Sequence, residues 1–237
     1  LGGVDVEGPD LNLRYRTFAG YHNMPITYGM TVGELARLFN RERSINADLE
    51  VVPMQGWTRG MIWEDTGLPW VNPSPNIHNA RESSLYAGLG FLEDLPISVG
   101  RGTPSPFEVV GAPWMDGPAL ARDMQGLALP GFLFRPIHFV PGADNYAGRE
   151  CKGILVTMTD RRRCHPTEMG IYLLSALSRR YPDRINGRLL HKLHDMIGNQ
   201  TVPQAIANGI PPAEVIRSWQ GDDKRWRRRR APFLLYQ

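Results

Sequence analysis

Apolar and polar positions along this chain follow helix and strand periods that change where Pro and Gly cluster. Thr31 and Glu34 form a capping-box pattern ahead of an apolar helix face, so we predict a helix over 32–43. The apolar run LEVVPM at 49–54 predicts a strand. Residues 56–78 are rich in Pro, Gly and Trp, which indicates a loop.

Helices and strands are predicted to alternate through the middle of the chain. The helices are predicted at 79–88, 117–125 and 166–180, the strands at 107–110, 132–140 and 153–159, and several short helices from residue 186 onward. The run at 153–159 is apolar enough to be a central strand. This order predicts an α/β fold in which helices flank a mixed sheet, followed by a helical C-terminal region.

Composition places the chain among ordinary folded proteins, since 42% of its 237 residues are apolar and 22% are charged. Its longest apolar runs are too short to span a bilayer, so we expect no membrane span. The formal charge is +3, and six Lys and Arg residues crowd at 224–230 beside Trp226. That cluster indicates a solvated segment or an anionic-polymer patch. We expect no nucleic-acid partner, because the remaining chain has no basic stripe to extend it.

The cysteines and histidines indicate little metal or redox chemistry. We interpret Cys151 and Cys164 as unpaired thiols, because a bridge between them needs a tight return of the chain. His191 and His194 share a helix face with Asp195 as the nearest third ligand, and surface histidines are the favoured interpretation. We therefore predict no metal and no cofactor.

The stretch from Trp70 to Trp114 is predicted to form the functional surface. Trp63 and Trp70 offer flat apolar faces on which sugar rings stack, and Arg59 and Asn76 offer polar partners for sugar hydroxyls. Arg59 follows a predicted strand end, where α/β proteins tend to place binding groups. In the alternative interpretation, the tryptophans belong to the core and the prolines brace a long loop.

A glycine-flanked arginine follows in the segment SVGRGT. Glycines allow a close backbone approach, and Arg101 between the hydroxyls of Ser98 and Thr103 is suited to bind a carboxylate or phosphate. The pattern fits a tight turn with an ion-paired arginine equally well. Glu93 and Glu108 are candidate catalytic residues, because glycoside cleavage commonly uses two carboxyl groups. Alternatively, Glu108 forms a buried ion pair, for example with Arg101.

Several longer motifs resemble those of one bacterial family. They occur in that family's order from Gly2 to Tyr236, and include GYHNMPITYGMTVGELARLFN, TGLPWVNPSPN, SVGRGTPSPFEVVGAPW and CKGILVTMTDR. The chain thus resembles the YbbC-like family, long catalogued as a domain of unknown function, whose members include exo-β-N-acetylmuramidases. The resemblance implies a glycosidase of cell-wall turnover that removes terminal N-acetylmuramic acid from peptidoglycan fragments. It also implies an exported protein, periplasmic or extracellular.

Members of that family have an N-terminal Rossmann-like domain and a smaller C-terminal domain, with the active cleft between them. The resemblance implies that residues 1–30 are an opening segment after that first domain, which would be a partner of this chain. Residues 31–237 would form a C-terminal α/β domain on the substrate side. The family's Glu-His-Gly motif does not occur here, so the main catalytic glutamate is expected upstream of Leu1.

The resemblance also implies roles for single residues. The positions that match family motifs are Asn76, Glu93, Arg101 and Thr103, and Arg59 and Ser98 complete the predicted binding set. A lactyl carboxylate distinguishes muramic acid from glucosamine, and Arg101 is a chemically reasonable partner for it. Substrate binding by this chain is the firmer expectation. A catalytically inactive fragment or homologue that binds peptidoglycan is the alternative.

Overall fold

The computed structural model describes residues 3–237, so Leu1 and Gly2 of the predicted opening segment lie outside the described residues. From residue 3 the chain runs largely extended, with a 3₁₀ turn at Leu13–Tyr15. An antiparallel bridge between Glu7 and Thr27 folds this segment back on itself. The segment therefore forms a layer along the surface before the first α-helix begins.

Helix α1 spans Val32–Glu42, and its capping box is formed. The Thr31 hydroxyl accepts a hydrogen bond from the Glu34 amide, and the Glu34 carboxylate accepts one from the Thr31 amide. These two bonds satisfy amides that have no partner inside the helix. The predicted helix is confirmed.

The remaining elements follow in the predicted order. The helices are α2 (Ala80–Leu89), α3 (Gly117–Gly126), α4 (Pro166–Arg180), α5 (Gly187–Lys192), α6 (His194–Ile197), α7 (Thr201–Ala207), α8 (Pro212–Ser218) and α9 (Gln220–Arg230). The strands are β1 (Val109–Ala112), β2 (Phe132–Phe139) and β3 (Cys151–Met158). Short 3₁₀ turns lie at Trp63–Thr66, Gly90–Asp94 and Ala231–Phe233. Asn79, Asp116 and Asn186 begin α2, α3 and α5 by accepting hydrogen bonds from first-turn amides.

The three strands form one sheet in the order β1-β3-β2, with β3 in the centre as its apolar run predicts. The predicted α/β class, with helices against a sheet and a helical C-terminal region, is confirmed. The prediction of a mixed sheet was wrong, because both strand pairings are antiparallel in the described residues. After β2 a loop reverses the chain, so that β3 runs antiparallel to β2. Strand β3 thereby lies between β2 and β1, and α3 joins β1 to β2 along the chain.

Helix α4 is the centre of the core, and most of its residues are buried. It crosses α2 at Gly88 and Gly170, where the two backbones touch directly. A Cβ atom on Gly170 would lie 2.0 Å from the carbonyl oxygen of Gly88, so neither position has room for a side chain. This crossing fixes α2, and the loops at both of its ends, against the body of the fold.

Two predicted strands differ from the structure. Residues 49–54 have no regular secondary structure and pair with no strand in the part of the chain that the structure describes, and Val52 is 83% exposed. Apolar, β-branched residues favour an extended backbone, but a strand also needs a partner with free ladder positions. Strand β1 begins at Val109 rather than at Phe107, because Phe107 adopts a positive φ of 60° in the preceding turn.

Part of the basic cluster at 224–230 is used inside the fold, while Lys224, Arg225, Arg227 and Arg228 are exposed. Trp226 is buried, and Arg229 pairs with Glu42 on α1. Arg230 is also buried and donates to the carbonyl of Tyr28 at 2.9 Å. These contacts fasten α9 to the opening segment. Within residues 3–237, no helix combines the length and the apolar character that crossing a bilayer requires.

Candidate functional site

A hollow of about 800 Å³ lies beneath the long loop between α1 and α2, and we call it the tryptophan pocket. Its lining residues are Met54, Gln55, Gly56, Trp57, Met61, Ile62, Trp63, Asp65, Thr66, Leu68, Trp70, Val71, Pro73, Ala80, Ser83 and Arg161. The rings of Trp63 and Trp70 meet edge to face, with centroids 5.2 Å apart. Aromatic walls with an amide and charged groups are the chemistry that binds sugars.

The loop around this pocket is held by side-chain contacts rather than by regular structure. Trp70 donates from Nε1 to the carbonyl of Ile77 at 3.3 Å, and the Thr66 hydroxyl donates to the carbonyl of Trp63 at 2.6 Å. Asp65 accepts a hydrogen bond from the Ile62 amide at 2.9 Å. The tryptophan faces are therefore positioned before any ligand arrives, which lowers the entropy lost on binding.

Two arginines that follow β3 reach across to this loop. Arg161 pairs with Glu64 and donates from Nη2 to the Ser84 hydroxyl at 2.8 Å. Arg162 pairs with Asp65 at 2.6 Å. Sequence reasoning missed both residues. Their position directly after the end of a central strand was the signal that could have found them.

A second hollow of about 600 Å³ contains several predicted site residues, and we call it the arginine pocket. It is lined by Glu93, Asp94, Ile97, Ser98, Val99, Arg101, Asp144, Asn145 and Met196. Gly100 and Gly102 flank Arg101 with φ values of 81° and 75°. A Cβ atom on Gly102 would lie 2.7 Å from Gly142, so glycine is needed where these two loops meet.

Arg101 in this pocket is already matched by carboxylates. It donates from Nε and Nη2 to both oxygens of Glu93, and its Nε lies 3.1 Å from Asp144. Hydrogen bonding to Glu93 raises the pKa of Arg101 further above its usual value. The guanidinium also lies over the ring of Phe107, 5.2 Å from the centroid. The loop is thus a turn with an ion-paired arginine, one of the two interpretations of its sequence.

The structure does not bring all predicted site residues together. Ser98 lines the arginine pocket, but its hydroxyl accepts from the amide of Gly100 at 3.1 Å. The Thr103 hydroxyl donates to the carbonyl of Gly100 at 2.7 Å and accepts from Ser105. Asn76 is half-buried in the loop before α2. The hydroxyls on either side of Arg101 therefore stabilise its loop.

Glu108 and Arg59 form ion pairs outside the arginine pocket. Glu108 pairs with Arg81 at 3.0 Å, and not with Arg101 as the buried-pair alternative expected. The reason is that Arg101 faces Glu93 on the neighbouring turn. Arg59 is buried and pairs with the fully buried Glu34 of α1. It also donates to the carbonyl of Gly29 at 3.0 Å, which ties the opening segment to α1.

A third hollow of about 620 Å³, the apolar pocket, connects the other two along the surface. It is lined mainly by apolar side chains of residues 11–45 and 83–91. It shares Ser83 with the tryptophan pocket and Met196 with the arginine pocket. The apolar pocket therefore adjoins each of the other two hollows through one shared lining residue.

The described residues form neither a metal-binding cluster nor a reactive thiol site. Among residues 3–237, no group of three or more His, Cys, Asp or Glu side chains is placed to hold a metal ion. Cys151 and Cys164 are free and buried, which confirms the interpretation as unpaired thiols. Burial raises the pKa of Cys164 to about 12, so its thiol is unreactive at neutral pH.

The fold and its hollows define a class, an α/β protein with an aromatic-lined hollow held by side-chain contacts. The family model described as exo-β-N-acetylmuramidase NamZ, C-terminal, matches residues 84–236, and its N-terminal counterpart matches residues 1–81. The chain belongs to this exo-β-N-acetylmuramidase family. The relationship confirms the resemblance seen in the sequence motifs.

Known relatives agree with this assignment. The peptidoglycan β-N-acetylmuramidase NamZ of Bacillus subtilis (strain 168) is 36% identical over 235 residues, which cover 99% of this chain and 57% of the relative. Crystal structures of two DUF1343 family proteins from Bacteroides fragilis NCTC 9343 superpose with TM-scores of 0.91 and 0.74, at 29% and 26% identity. They are matched over 100% and 99% of this chain, and over 64% and 63% of their own length. The chain thus spans less than two thirds of each relative.

Proposed function

We propose that this chain is part of a glycoside hydrolase that removes terminal N-acetylmuramic acid from peptidoglycan fragments. The tryptophan pocket is the observation that carries the proposal. Its walls come from residues 54–80, within the N-terminal family match, and from Arg161, within the C-terminal match. The proposed sugar cleft therefore draws residues from both family matches. The Bacillus subtilis relative is named for hydrolysis of such a substrate.

We assign substrate binding to this chain, and regard catalysis by Glu93 or Glu108 as secondary. Both oxygens of Glu93 accept hydrogen bonds from Arg101, and Glu108 pairs with Arg81. A glycosidase acid must hold a proton that it can donate, and a nucleophile must be open to the sugar. Carboxylates engaged by arginine are poorly arranged for either task. The main catalytic carboxylate is accordingly proposed to lie in a part of the protein that precedes these residues.

The proposed partner is an N-terminal Rossmann-like domain that packs against the exposed apolar run at 49–54. Leu49, Val52 and Met54 are exposed on a segment without regular secondary structure, and Leu68 and Val71 are exposed on the loop that follows. Exposed apolar groups in one region mark an interaction surface. The division at residue 30 stays a prediction. Because peptidoglycan lies outside the cytoplasmic membrane, we further propose that the protein is exported.

The alternative is a protein that binds peptidoglycan fragments without cleaving them. The engaged state of Glu93 and Glu108 favours it, because these are the two candidate catalytic carboxylates predicted in this chain. Both proposals require sugar binding in the tryptophan pocket, and they differ in whether the complete protein releases muramic acid.

The test compares the complete gene product with residues 1–237 on a chromogenic β-N-acetylmuramide. We expect the complete protein to release N-acetylmuramic acid and residues 1–237 to bind the sugar without cleaving it. Trp63→Ala and Trp70→Ala should each raise KM about tenfold, because an aromatic face contributes roughly 1 kcal/mol or more to stacking. Phe18→Ala is the matched control, since this exposed ring lies outside all three hollows.

Each outcome has a definite meaning. Binding without release by the complete protein would support the alternative. If both tryptophan variants keep wild-type binding and turnover, the tryptophan pocket is excluded as the sugar site.

A further inference from the structure

Arg161 is held in the wall of the tryptophan pocket, and its guanidinium is only partly used there. Its side chain is 10% exposed. Nη1 contacts Glu64 and Nη2 donates to Ser84, but Nε is buried without a hydrogen-bond partner among the described residues. A buried donor without an acceptor costs free energy that a ligand oxygen can recover. The pocket therefore contains an arginine whose donors exceed the acceptors around it.

The Glu64 carboxylate pairs with Arg161 through only one nitrogen of the guanidinium. Both of its oxygens contact the single nitrogen Nη1, one of them at 2.6 Å, so the two-nitrogen fork of the guanidinium is not used. Glu64 is 52% exposed and lies in the 3₁₀ turn Trp63–Thr66, whose other residues line the pocket. Burial is the largest single influence and raises the pKa of Glu64, but the hydrogen bond from Arg161, the backbone amide of Glu64 and the charge of Arg161 together lower that pKa below its usual value.

Arg101 is paired with acidic groups more completely than Arg161 is. Arg101 donates through two nitrogens to Glu93 and is also 3.1 Å from Asp144, so a ligand carboxylate would have to displace two acidic groups. At Arg161 it would displace one exposed carboxylate that is bound through one nitrogen. A fork-type pair with two parallel hydrogen bonds is stronger than such a contact. Arg161 is therefore the better carboxylate receptor of the two.

We propose that Arg161 recognises the carboxylate of an acidic amino sugar in the tryptophan pocket, and that Glu64 occupies this position until the sugar displaces it. The proposal rests on the proposed function, because it names the group that selects a carboxylate-bearing sugar. Trp63 and Trp70 contact the ring, and Arg161 reads the acidic substituent. Glu64 acts as an internal competitor that keeps the guanidinium paired when the pocket is empty.

The two partners of this ion pair are expected to respond in opposite directions. In residues 1–237, binding is measured from the change in intrinsic tryptophan fluorescence, with N-acetylmuramic acid and N-acetylglucosamine as the two probes. Arg161→Gln should weaken binding of N-acetylmuramic acid about tenfold or more, because the charge-assisted bonds are lost. Glu64→Gln should tighten it about threefold, because the competing charge is removed. Neither change should alter binding of N-acetylglucosamine, which has no carboxylate.

A structural ion pair would give a different result. Then Glu64→Gln would leave the affinity unchanged or lower it, and either observation overturns the proposal. Equal losses for both sugars in Arg161→Gln also overturn it. Arg180→Gln is the matched control, because this arginine pairs with Asp123 and neither residue lines the pocket. Thermal denaturation of each variant separates lost binding from lost folding, and the opposite response of Glu64→Gln cannot result from misfolding.

The assay also separates this proposal from the function on which it rests. If the complete protein releases no muramic acid but the binding pattern holds, the glycosidase assignment fails and carboxylate recognition stands. If the complete protein releases muramic acid but Arg161→Gln keeps the wild-type preference between the two sugars, recognition by Arg161 fails and the glycosidase assignment stands.

Discussion

The imidazole of His165 lies 2.8 Å from the carboxylate of Glu7, measured from Nδ1 to Oε1. These residues are 158 positions apart in the sequence, and Glu7 is buried. Glu7 also accepts a hydrogen bond from the amide of Thr167, in the first turn of α4. One carboxylate therefore joins the opening segment to the beginning of the central helix. The contact makes stability depend on pH.

Stability is expected to fall as pH rises from 6.5 to about 9. Hydrogen bonding to Glu7 raises the pKa of His165 from 6.5 to about 9. The folded protein therefore holds a proton that the unfolded chain has already released in this range. The contribution is complete below pH 6.5 and lost above about pH 9. Because half of the ring is exposed, water screens the pair and we expect a contribution of about 1 kcal/mol.

Urea denaturation at several pH values checks this expectation. His165→Gln should flatten the decline between pH 6.5 and 9, since glutamine does not titrate. His138→Gln is the control, because His138 pairs with Glu150 on the surface and both side chains are mostly exposed. An equal decline in wild type and in His165→Gln would show that another group causes it.

Asp223→Asn is expected to stabilise the protein above pH 7. Burial raises the pKa of Asp223 to about 7, aided by Glu7, Asp222 and Glu168 and opposed by Arg227. Its Oδ1 is buried without a hydrogen-bond partner among the described residues. The folded state thus keeps a proton that the unfolded chain releases between pH 3.8 and about 7, so stability falls across this range and the penalty is complete above it. The gain should be on the order of 1 kcal/mol and should shrink as pH falls below 7.

Asp222→Asn provides the comparison for that variant. Asp222 pairs with Arg225 and accepts from the amide of Asp10, so neutralising it should bring no gain. A loss of stability in Asp223→Asn above pH 7, seen in urea midpoints, would show that the charge of Asp223 is favourable.

The helices were predictable because their signals are local. Thr31, Asn79 and Asp116 each bond to amides within three residues, so the sequence around each cap contains both partners. The central position of β3 was also predictable, because a strand covered on both faces must be apolar throughout. The side chain of Asn199 accepts from the amides of Thr201 and Val202.

The site was less predictable because its contacts join distant residues. Arg59 was predicted to bind substrate from its place after a strand end, yet Glu34 and a carbonyl of residue 29 enclose it. Arg161 was not singled out, although it crosses 97 positions to reach Glu64. Local spacing does not reveal which acid meets which base. The aromatic residues of the loop at 56–78 were recognised, because their composition alone marks them as unusual.

Arg59→Met is expected to destabilise the protein by about 4 kcal/mol, because it leaves the buried carboxylate of Glu34 without its charge partner. Glu34 would retain hydrogen bonds only from the amides of Thr31 and Leu235. Arg180→Met is the control, since both side chains of its pair with Asp123 are partly exposed, and this pair should contribute less than about 1 kcal/mol. Chemical denaturation of both variants measures the difference. Equal losses would show that burial of the pair is unimportant.

Gly170→Ala is expected to be among the most damaging small changes in the core. Its new methyl group would lie 2.0 Å from the carbonyl oxygen of Gly88 and 2.7 Å from the carbonyl carbon, both backbone atoms. Helices α2 and α4 would have to separate, at a cost of about 3 kcal/mol. Gly126→Ala is the control, because no atom lies within 4 Å of its Cβ position, so it should be neutral or stabilising by about 0.5 kcal/mol. Because α2 supplies Ala80 and Ser83 to the tryptophan pocket, Gly170→Ala should also weaken sugar binding. Thermal denaturation and tryptophan fluorescence test both effects, and an unchanged melting temperature would contradict the close crossing of the two helices.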